Sequence, residues 1–116
     1  MKGLVIRKIK LVHEDERRKM LEIMNGDIAV KNLKILYVKK GDQILGNHWH
    51  VYPEIMYIMK GKAHYKFKHI LTKEELEIDL EEGDVVLKTG FISHAGMFSE
   101  DSIIIDGGES TYISGD

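Results

Sequence analysis

Two histidines and a glutamate in one short segment have the types and the spacing needed for chemistry. His48 and His50 are two positions apart, and Glu54 follows four positions later, directly after Pro53. Residues two apart in a β-strand share a face, so both imidazoles point the same way, and Glu54 has the same parity. Imidazole and carboxylate ligands together suit Mn, Fe, Co, Ni or Zn. The segment therefore predicts part of a site for one divalent transition metal.

A fourth ligand is expected from a later segment of the chain. The run 83–94 begins with Gly-Asp, continues as an apolar strand and ends, after a turn, at His94. An antiparallel fold can bring the end of that strand beside the first two histidines. The predicted metal ligands are His48, His50, Glu54 and His94.

The elements that must position these residues read as short strands. Apolar and polar residues alternate over 33–38 (LKILYV), 62–68 (KAHYKFK) and 75–80 (ELEIDL), which is the period of a half-buried strand. Glycine turn signals recur at short spacing between such runs. The run 13–24 is the only possible helix, and its charged half favours a turn. The sequence therefore predicts an all-β fold, a sandwich or a barrel.

The segment that begins at His48 resembles the first motif of the cupin superfamily. That motif reads His, any residue, His, three residues, Glu, six residues, Gly, and it is matched at His48, His50, Glu54 and Gly61.

The run 83–94 resembles the second cupin motif, with Gly83 and His94 in register. Three positions depart from the family pattern: Thr89 replaces the usual Pro, Phe91 replaces Gly and Phe98 replaces Asn. These positions shape a turn and are not metal ligands in the family.

The resemblance implies a conical antiparallel β-barrel of the double-stranded β-helix (jelly-roll) type, with residues 1–116 forming one cupin domain. It also implies a metal in the mouth of the barrel, with about two coordination positions open. In the metal-free epimerase branch of the superfamily, the equivalents of His48 and His50 would act as acid/base groups instead. Cupins are often dimeric, and the apolar runs 4–6 and 103–105 are predicted to form a homodimer interface.

The predicted activity is that of an isomerase or epimerase acting on a small carbohydrate or sugar nucleotide. The runs 46–50 and 15–23 resemble those of sugar-nucleotide cupins. In such enzymes a metal or a histidine polarises a keto-sugar carbonyl while a base removes the adjacent proton. Tyr65 and Tyr37, on apolar strand faces, are the candidate catalytic tyrosines. His64, on a charged face, is predicted to be a surface residue.

Two other functions remain open at this stage. A metal-dependent dioxygenase or related oxidoreductase would use the two open positions for substrate and oxygen. A non-catalytic ligand-binding module is the third reading. A cationic rim around the pocket would favour sugar phosphates, yet the three arginines, Arg7, Arg17 and Arg18, are not expected in the barrel strands.

Composition excludes several classes of partner. The chain has 17 basic and 19 acidic residues, a net charge of −2, and therefore no field for nucleic acid. It has no cysteine, which removes disulfide and thiolate chemistry. No apolar run approaches the roughly 20 residues of a membrane span, and the N-terminal segment lacks a signal-peptide pattern. We expect a cytoplasmic protein with a small-molecule substrate, and neither nucleic acid nor membrane as a partner.

Overall fold

The computed structural model describes residues 1–41 and 44–111, with the backbone alone for 45–47. This part of the chain forms strands joined by turns and loops, and the all-β prediction is confirmed. In chain order the strands are β1 (Leu4–Lys8), β2 (Lys10–Glu14), β3 (Lys19–Glu22), β4 (Asn32–Val38), β5 (Leu45–His48), β6 (Glu54–Lys60), β7 (Lys62–His69), β8 (Glu75–Glu81), β9 (Asp84–Lys88), β10 (Ile92–Phe98) and β11 (Ser102–Gly108).

The strands form two facing sheets and a separate hairpin. The five-stranded sheet has the order β1-β9-β6-β11-β4, and the four-stranded sheet has the order β5-β10-β7-β8. All paired strands are antiparallel, as the jelly-roll prediction requires. The two sheets are not joined by strand pairing into a closed barrel.

The four-stranded sheet follows the period-two pattern of its sequence. On β7, Ala63, Tyr65 and Phe67 are buried, whereas the alternate lysines and His64 are not. Opposite charges face each other across β7 and β8, so the outer face of this sheet is polar. Alternation thus fixes which residues enter the space between the sheets.

The main core fills that space with side chains from both sheets. It consists of Met56, Ile58, Ala63, Tyr65, Phe67, Leu80, Val86, Ile92, Phe98 and Ile104. Each sheet buries an apolar face in this cluster, and the burial of that surface is the dominant driving force for the association of the two sheets.

A second apolar cluster covers the outer face of the five-stranded sheet. Strands β6 and β9 carry buried side chains on both faces, because Ile55, Tyr57, Val85 and Leu87 pack under the segment 23–30. The centre of this sheet is therefore held from both sides.

Strands β2 and β3 form a hairpin in which all strand residues except Glu22 are exposed, over the run that had been the only possible helix. Asp15 organises its turn: the carboxylate accepts backbone N–H bonds from Arg17 at 2.8 Å and Arg18 at 3.0 Å. A hydrogen bond with the His13 ring, together with these contacts, lowers the pKa of Asp15 to about 2. No helix in the described part of the chain is long and apolar enough to cross a membrane.

The two runs predicted to form a dimer interface pack mostly inward. Leu4 and Ile6 lie against the main core and Ile104 belongs to it, so only Val5 is half-exposed among these residues. The prediction assumed solvent-facing apolar runs, but Leu4, Ile6 and Ile104 pack between the sheets and Ile105 packs against the outer cluster. The large exposed apolar surface lies elsewhere, on the outer face of β4.

Gly61 allows a stability test of the β6–β7 turn. It has φ +103°, and a Cβ there would overlap the Ser102 hydroxyl and lie 2.9 Å from the Asp101 carbonyl. Gly26 also has positive φ, at +78°, but has open space around it. We expect Gly61→Ala to lower the free energy of unfolding by about 2–5 kcal/mol and Gly26→Ala by about 1–2 kcal/mol, measured by chemical denaturation. Equal losses would contradict the steric account of Gly61.

Candidate functional site

A cavity of about 240 Å³ opens between the two sheets at one end of their interior. Its polar lining includes Lys34, His48, His50, Tyr52, Glu54 and Asp106. The main core next to this cavity is apolar.

Strand register explains why these groups meet. Glu54 on β6 is directly opposite Lys88 on β9. Asp106 on β11 is opposite Lys34 on β4. In the four-stranded sheet, His94 on β10 is opposite His48 on β5. Each pair lies at the same end of its sheet, and the two sheets present them to a common space.

The three predicted histidine ligands lie together. The ring centroids of His48 and His50 are 5.0 Å apart, and those of His48 and His94 are 5.2 Å apart. Tyr52 stacks on His50 with a centroid separation of 4.7 Å and an interplanar angle of 17°. Sequence reasoning did not assign Tyr52 a role, although its even parity after His48 and His50 would have placed it with them. The stacked ring restricts the orientation of the His50 imidazole.

Phe91 holds the backbone of His50 in place. Its N–H donates a hydrogen bond to the carbonyl of His50 at 2.8 Å, and its φ is +70°. This is the left-handed region that favours glycine, the residue the family pattern has at this position. The backbone of Phe91 thus has a conformation that glycine favours, despite the side chain. The Phe91 ring lies near that of Trp49, with 5.8 Å between their centroids.

A buried ion pair lies at the floor of the cavity. The ammonium of Lys88 donates to Glu54 Oε1 at 2.9 Å and to the carbonyl of Ile92 at 2.7 Å. Lys88 and Glu54 are 6% and 8% exposed. Burial lowers the pKa of Lys88, and the negative charge of Glu54 opposes that shift. Sequence analysis missed Lys88. It could have been found as a lysine that ends a fully buried strand and lies on the same face as Val86.

Asp106 is a partly buried acid of the cavity that sequence analysis missed. Burial raises its pKa; the charge of Lys34 opposes the shift and that of Glu54 reinforces it. Its signal in the sequence was a carboxylate at an inward-facing position of an isoleucine-rich strand, just before Gly107 and Gly108. The cavity therefore holds an acid that is protonated at a higher pH than an exposed aspartate.

His94 is neutral in its environment. Burial lowers its pKa well below the usual histidine value, and the charges of Lys88, His48 and His50 lower it further. Its Nδ1 is the one buried side-chain polar atom without a hydrogen-bond partner in the described chain. His94 lines a smaller inner cavity of about 10 Å³, together with Lys88 and with Glu54 and Asp106, which line both cavities.

The arrangement of these side chains does not fit a metal bound by the four ligands that the sequence predicts. Three imidazoles are close together, but Glu54, the only predicted carboxylate ligand, is paired with the ammonium of Lys88. Within the described ranges, no group of three or more His, Asp or Glu side chains is arranged to hold a metal ion. A ligating carboxylate must be available to the metal, and a neighbouring ammonium opposes a second cation. The metal therefore stays a prediction of the sequence.

Neither candidate tyrosine lines this cavity, although the ring centroid of Tyr65 lies 6.2 Å from that of His94. Tyr65 is 4% exposed in the main core, between Phe67 and Phe98, and burial raises the pKa of its hydroxyl. Tyr37 is 78% exposed on the outer face of β4. The period-two pattern identified apolar faces but could not tell a core position from a pocket, nor an inner face from an outer one. Tyr52 is the tyrosine that lines the cavity.

A larger cavity of about 550 Å³ lies at the opposite end of β7, β8 and β10. It is lined in part by His64, whose ring nitrogens contact Asp79 at 2.8 Å and Glu77 at 3.1 Å. His64 is exposed, as its position on a charged strand face predicted, and these carboxylates raise its pKa. We assign the functional site to the smaller cavity because its ionisable groups converge from both sheets and include the buried Glu54.

The fold is shared with solved structures of sugar-nucleotide enzymes at low sequence identity. The chain aligns over 99% of its length, and 91% of the other chain, with the TDP-quinovose 3,4-ketoisomerase WlaRB of Campylobacter jejuni, at a TM-score of 0.84 and 14% identity. The 3,4-ketoisomerase QdtA of Thermoanaerobacterium thermosaccharolyticum matches with a TM-score of 0.80 and 15% identity, over 100% and 86%. The dTDP-4-dehydrorhamnose 3,5-epimerase of Sulfolobus tokodaii matches with a TM-score of 0.79 and 16% identity, over 98% of this chain and 74% of the other.

No protein-family model and no curated protein sequence matches the chain. At identities this low, the structural matches establish the fold and leave the activity to the site. The fold class is therefore that of the sugar-nucleotide ketoisomerases and epimerases, as the cupin resemblance implied.

The neutrality of His94 predicts a pH dependence of stability. The folded state holds His94 neutral, so below its ordinary pKa of about 6.5 the unfolded chain takes up a proton that the folded chain does not. We expect the free energy of unfolding to fall, as pH drops below about 6.5, by up to about 1.4 kcal/mol per pH unit more in the wild type than in His94→Gln. Urea denaturation at several pH values measures this difference. Parallel curves for the two proteins would contradict the assignment.

Proposed function

We propose that this protein is an isomerase or epimerase that moves a proton next to the keto group of a nucleotide-linked sugar. The observation that supports it is the pair His48 and His50 in a cavity between the sheets of a fold shared with 3,4-ketoisomerases. Imidazoles can take and return protons near neutral pH, which is the requirement of this reaction.

The proposed reaction needs two proton-transfer positions. One imidazole removes the proton from the carbon beside the carbonyl while the carbonyl oxygen gains a proton, which gives an enediol. Returning a proton to the former carbonyl carbon, with loss of the hydroxyl proton from the oxygen of the first carbon, moves the keto group. Returning a proton to the opposite face of the first carbon, with loss of the proton on the original carbonyl oxygen, inverts that centre. Tyr52 and Phe91 orient His50 for this role through the ring stack and the backbone hydrogen bond.

The size and charge of the cavity suit a sugar ring with its nucleotide outside. A volume of about 240 Å³ lies below the roughly 300–1,000 Å³ of pockets that enclose drug-sized ligands. Lys34 lines the cavity and supplies a cationic group for a phosphate. Arg7, contrary to expectation, lies within β1, but its guanidinium pairs with Asp27 at 3.2 Å.

The alternatives differ in what they need from the site. A dioxygenase depends on a metal, and so it meets the same conflict at Glu54 and Lys88. A non-catalytic module needs only the cavity, so turnover is what separates it from an isomerase. We also propose that the protein is located in the cytoplasm.

We also propose that the protein is a homodimer, through β4 rather than the runs first predicted. Among the described residues β4 pairs with β11 alone, at an edge of the five-stranded sheet. Its outer face carries Leu33, Ile35 and Tyr37, which are 67%, 58% and 78% exposed. An edge strand with such a face is one that proteins cover. Its inner face lines the cavity, so a partner there would lie next to the site.

The acid/base assignment predicts which histidine matters. With TDP-4-keto-6-deoxyglucose in D2O, we expect NMR to show deuterium entering the sugar beside the keto group. His50→Asn should lower this rate about 100-fold or more, because it removes one proton-transfer group. His64→Asn, at the opposite end of the sheet, should leave it unchanged. Full activity of His50→Asn would contradict the proposal, and saturable binding without any exchange would favour the binding module.

The dimer is tested with two leucines of matched exposure. Leu33 on β4 and Leu71 in the β7–β8 loop are 67% and 66% exposed. In sedimentation at micromolar concentration, we expect a dimer for the wild type and for Leu71→Lys, and a monomer for Leu33→Lys, since a buried lysine charge opposes association. A monomeric wild type, or two variants that behave alike, would refute the β4 interface.

A further inference from the structure

The ion pair of Glu54 and Lys88 differs from an ordinary surface pair in place and geometry. Both side chains are almost fully buried, and they face each other across neighbouring strands. The ammonium contacts Glu54 Oε1 at 2.9 Å and the carbonyl of Ile92 at 2.7 Å, so two oxygen acceptors surround the cation. Ile92 begins β10 in the opposite sheet, and Lys88 therefore bridges the two sheets beneath the histidines.

We propose that the Lys88 ammonium is the resident cation of this site, and that it keeps a divalent metal from binding to Glu54 and the three histidines. The inference concerns which cation the site holds and does not depend on the substrate.

The positions of the oxygen ligands support this reading. A carboxylate and a carbonyl within 2.9 Å are the kind of partners that a buried charge requires. Because Lys88 is tethered to β9, its charge remains in the site at any metal concentration. A divalent ion that used Glu54 would lie next to this ammonium, where like charges repel strongly in a buried environment.

Stability alone does not account for the pair. Replacing a buried ion pair by apolar side chains of similar volume is often neutral or stabilising. The neighbouring inward positions on the same two strands are occupied by Met56 and Val86, which pack in the main core without charge. The two charged residues lie only at the end of the strands that faces the cavity, where Glu54 also contributes to its wall.

Metal binding by chelator-treated protein without a histidine tag tests the inference. We expect the wild type to retain no stoichiometric Co²⁺ after gel filtration and to show no visible absorption band or rise in melting temperature. Lys88→Met keeps the length of the side chain and removes its charge. It should bind about one Co²⁺ per chain, at least about 10-fold more tightly than the wild type, with both signals present.

The controls separate this site from general metal affinity. Lys34→Met removes the other lysine of the cavity, whose ammonium contacts Asn32 at 2.6 Å, and should behave as the wild type. Adding His50→Ala to Lys88→Met should abolish the gained Co²⁺. Lys88→Gln provides a second uncharged variant if the methionine protein does not fold.

Two outcomes would overturn the inference. The first is a wild type that retains one Co²⁺ per chain after gel filtration and loses it in His50→Ala; this measurement does not require any lysine variant to fold. The second is a folded Lys88→Met or Lys88→Gln protein that gains no Co²⁺.

Discussion

The register of β6 between β9 and β11 is the constraint on which the interior depends. β6 is buried on both faces, with Met56 and Ile58 in the main core and Ile55 and Tyr57 in the outer cluster. A slip of one residue would exchange these two sets and turn Glu54 out of the interior. The apolar packing on both sides therefore fixes the place of the buried carboxylate, and the cross-strand position of Lys88 follows from the same register.

The interior is divided along the strands into an apolar end and an ionisable end. This division lets a small domain keep a dry core while it holds several charged groups close together. The two buried charges stabilise each other, since the ammonium of Lys88 lies 2.9 Å from Glu54 Oε1. Removing one partner would leave a buried charge unpaired, which costs far more than the pair contributes. The site is therefore electrostatically interdependent.

Local backbone geometry also serves the site. Phe91 adopts a positive φ that a non-glycine residue rarely takes, and its N–H fixes the carbonyl of His50. Strain of this kind persists only where the surrounding structure determines it, and it is found often at functional sites. Close packing of Gly90 against the backbone of Val51 restrains the same turn from the other side. The histidine segment is thus held by β10 and the turn before it.

The sequence by itself determined the strands, the all-β class and the grouping of His48, His50 and His94. These follow from alternation and motif spacing, which are local properties of the chain. Only the tertiary structure decided that Lys88 pairs with Glu54, that Asp106 enters the cavity, and that the predicted tyrosines do not. Those outcomes depend on which strands become neighbours and which sheet face is inward. Period-two alternation specifies two faces but does not say which of them another sheet will cover.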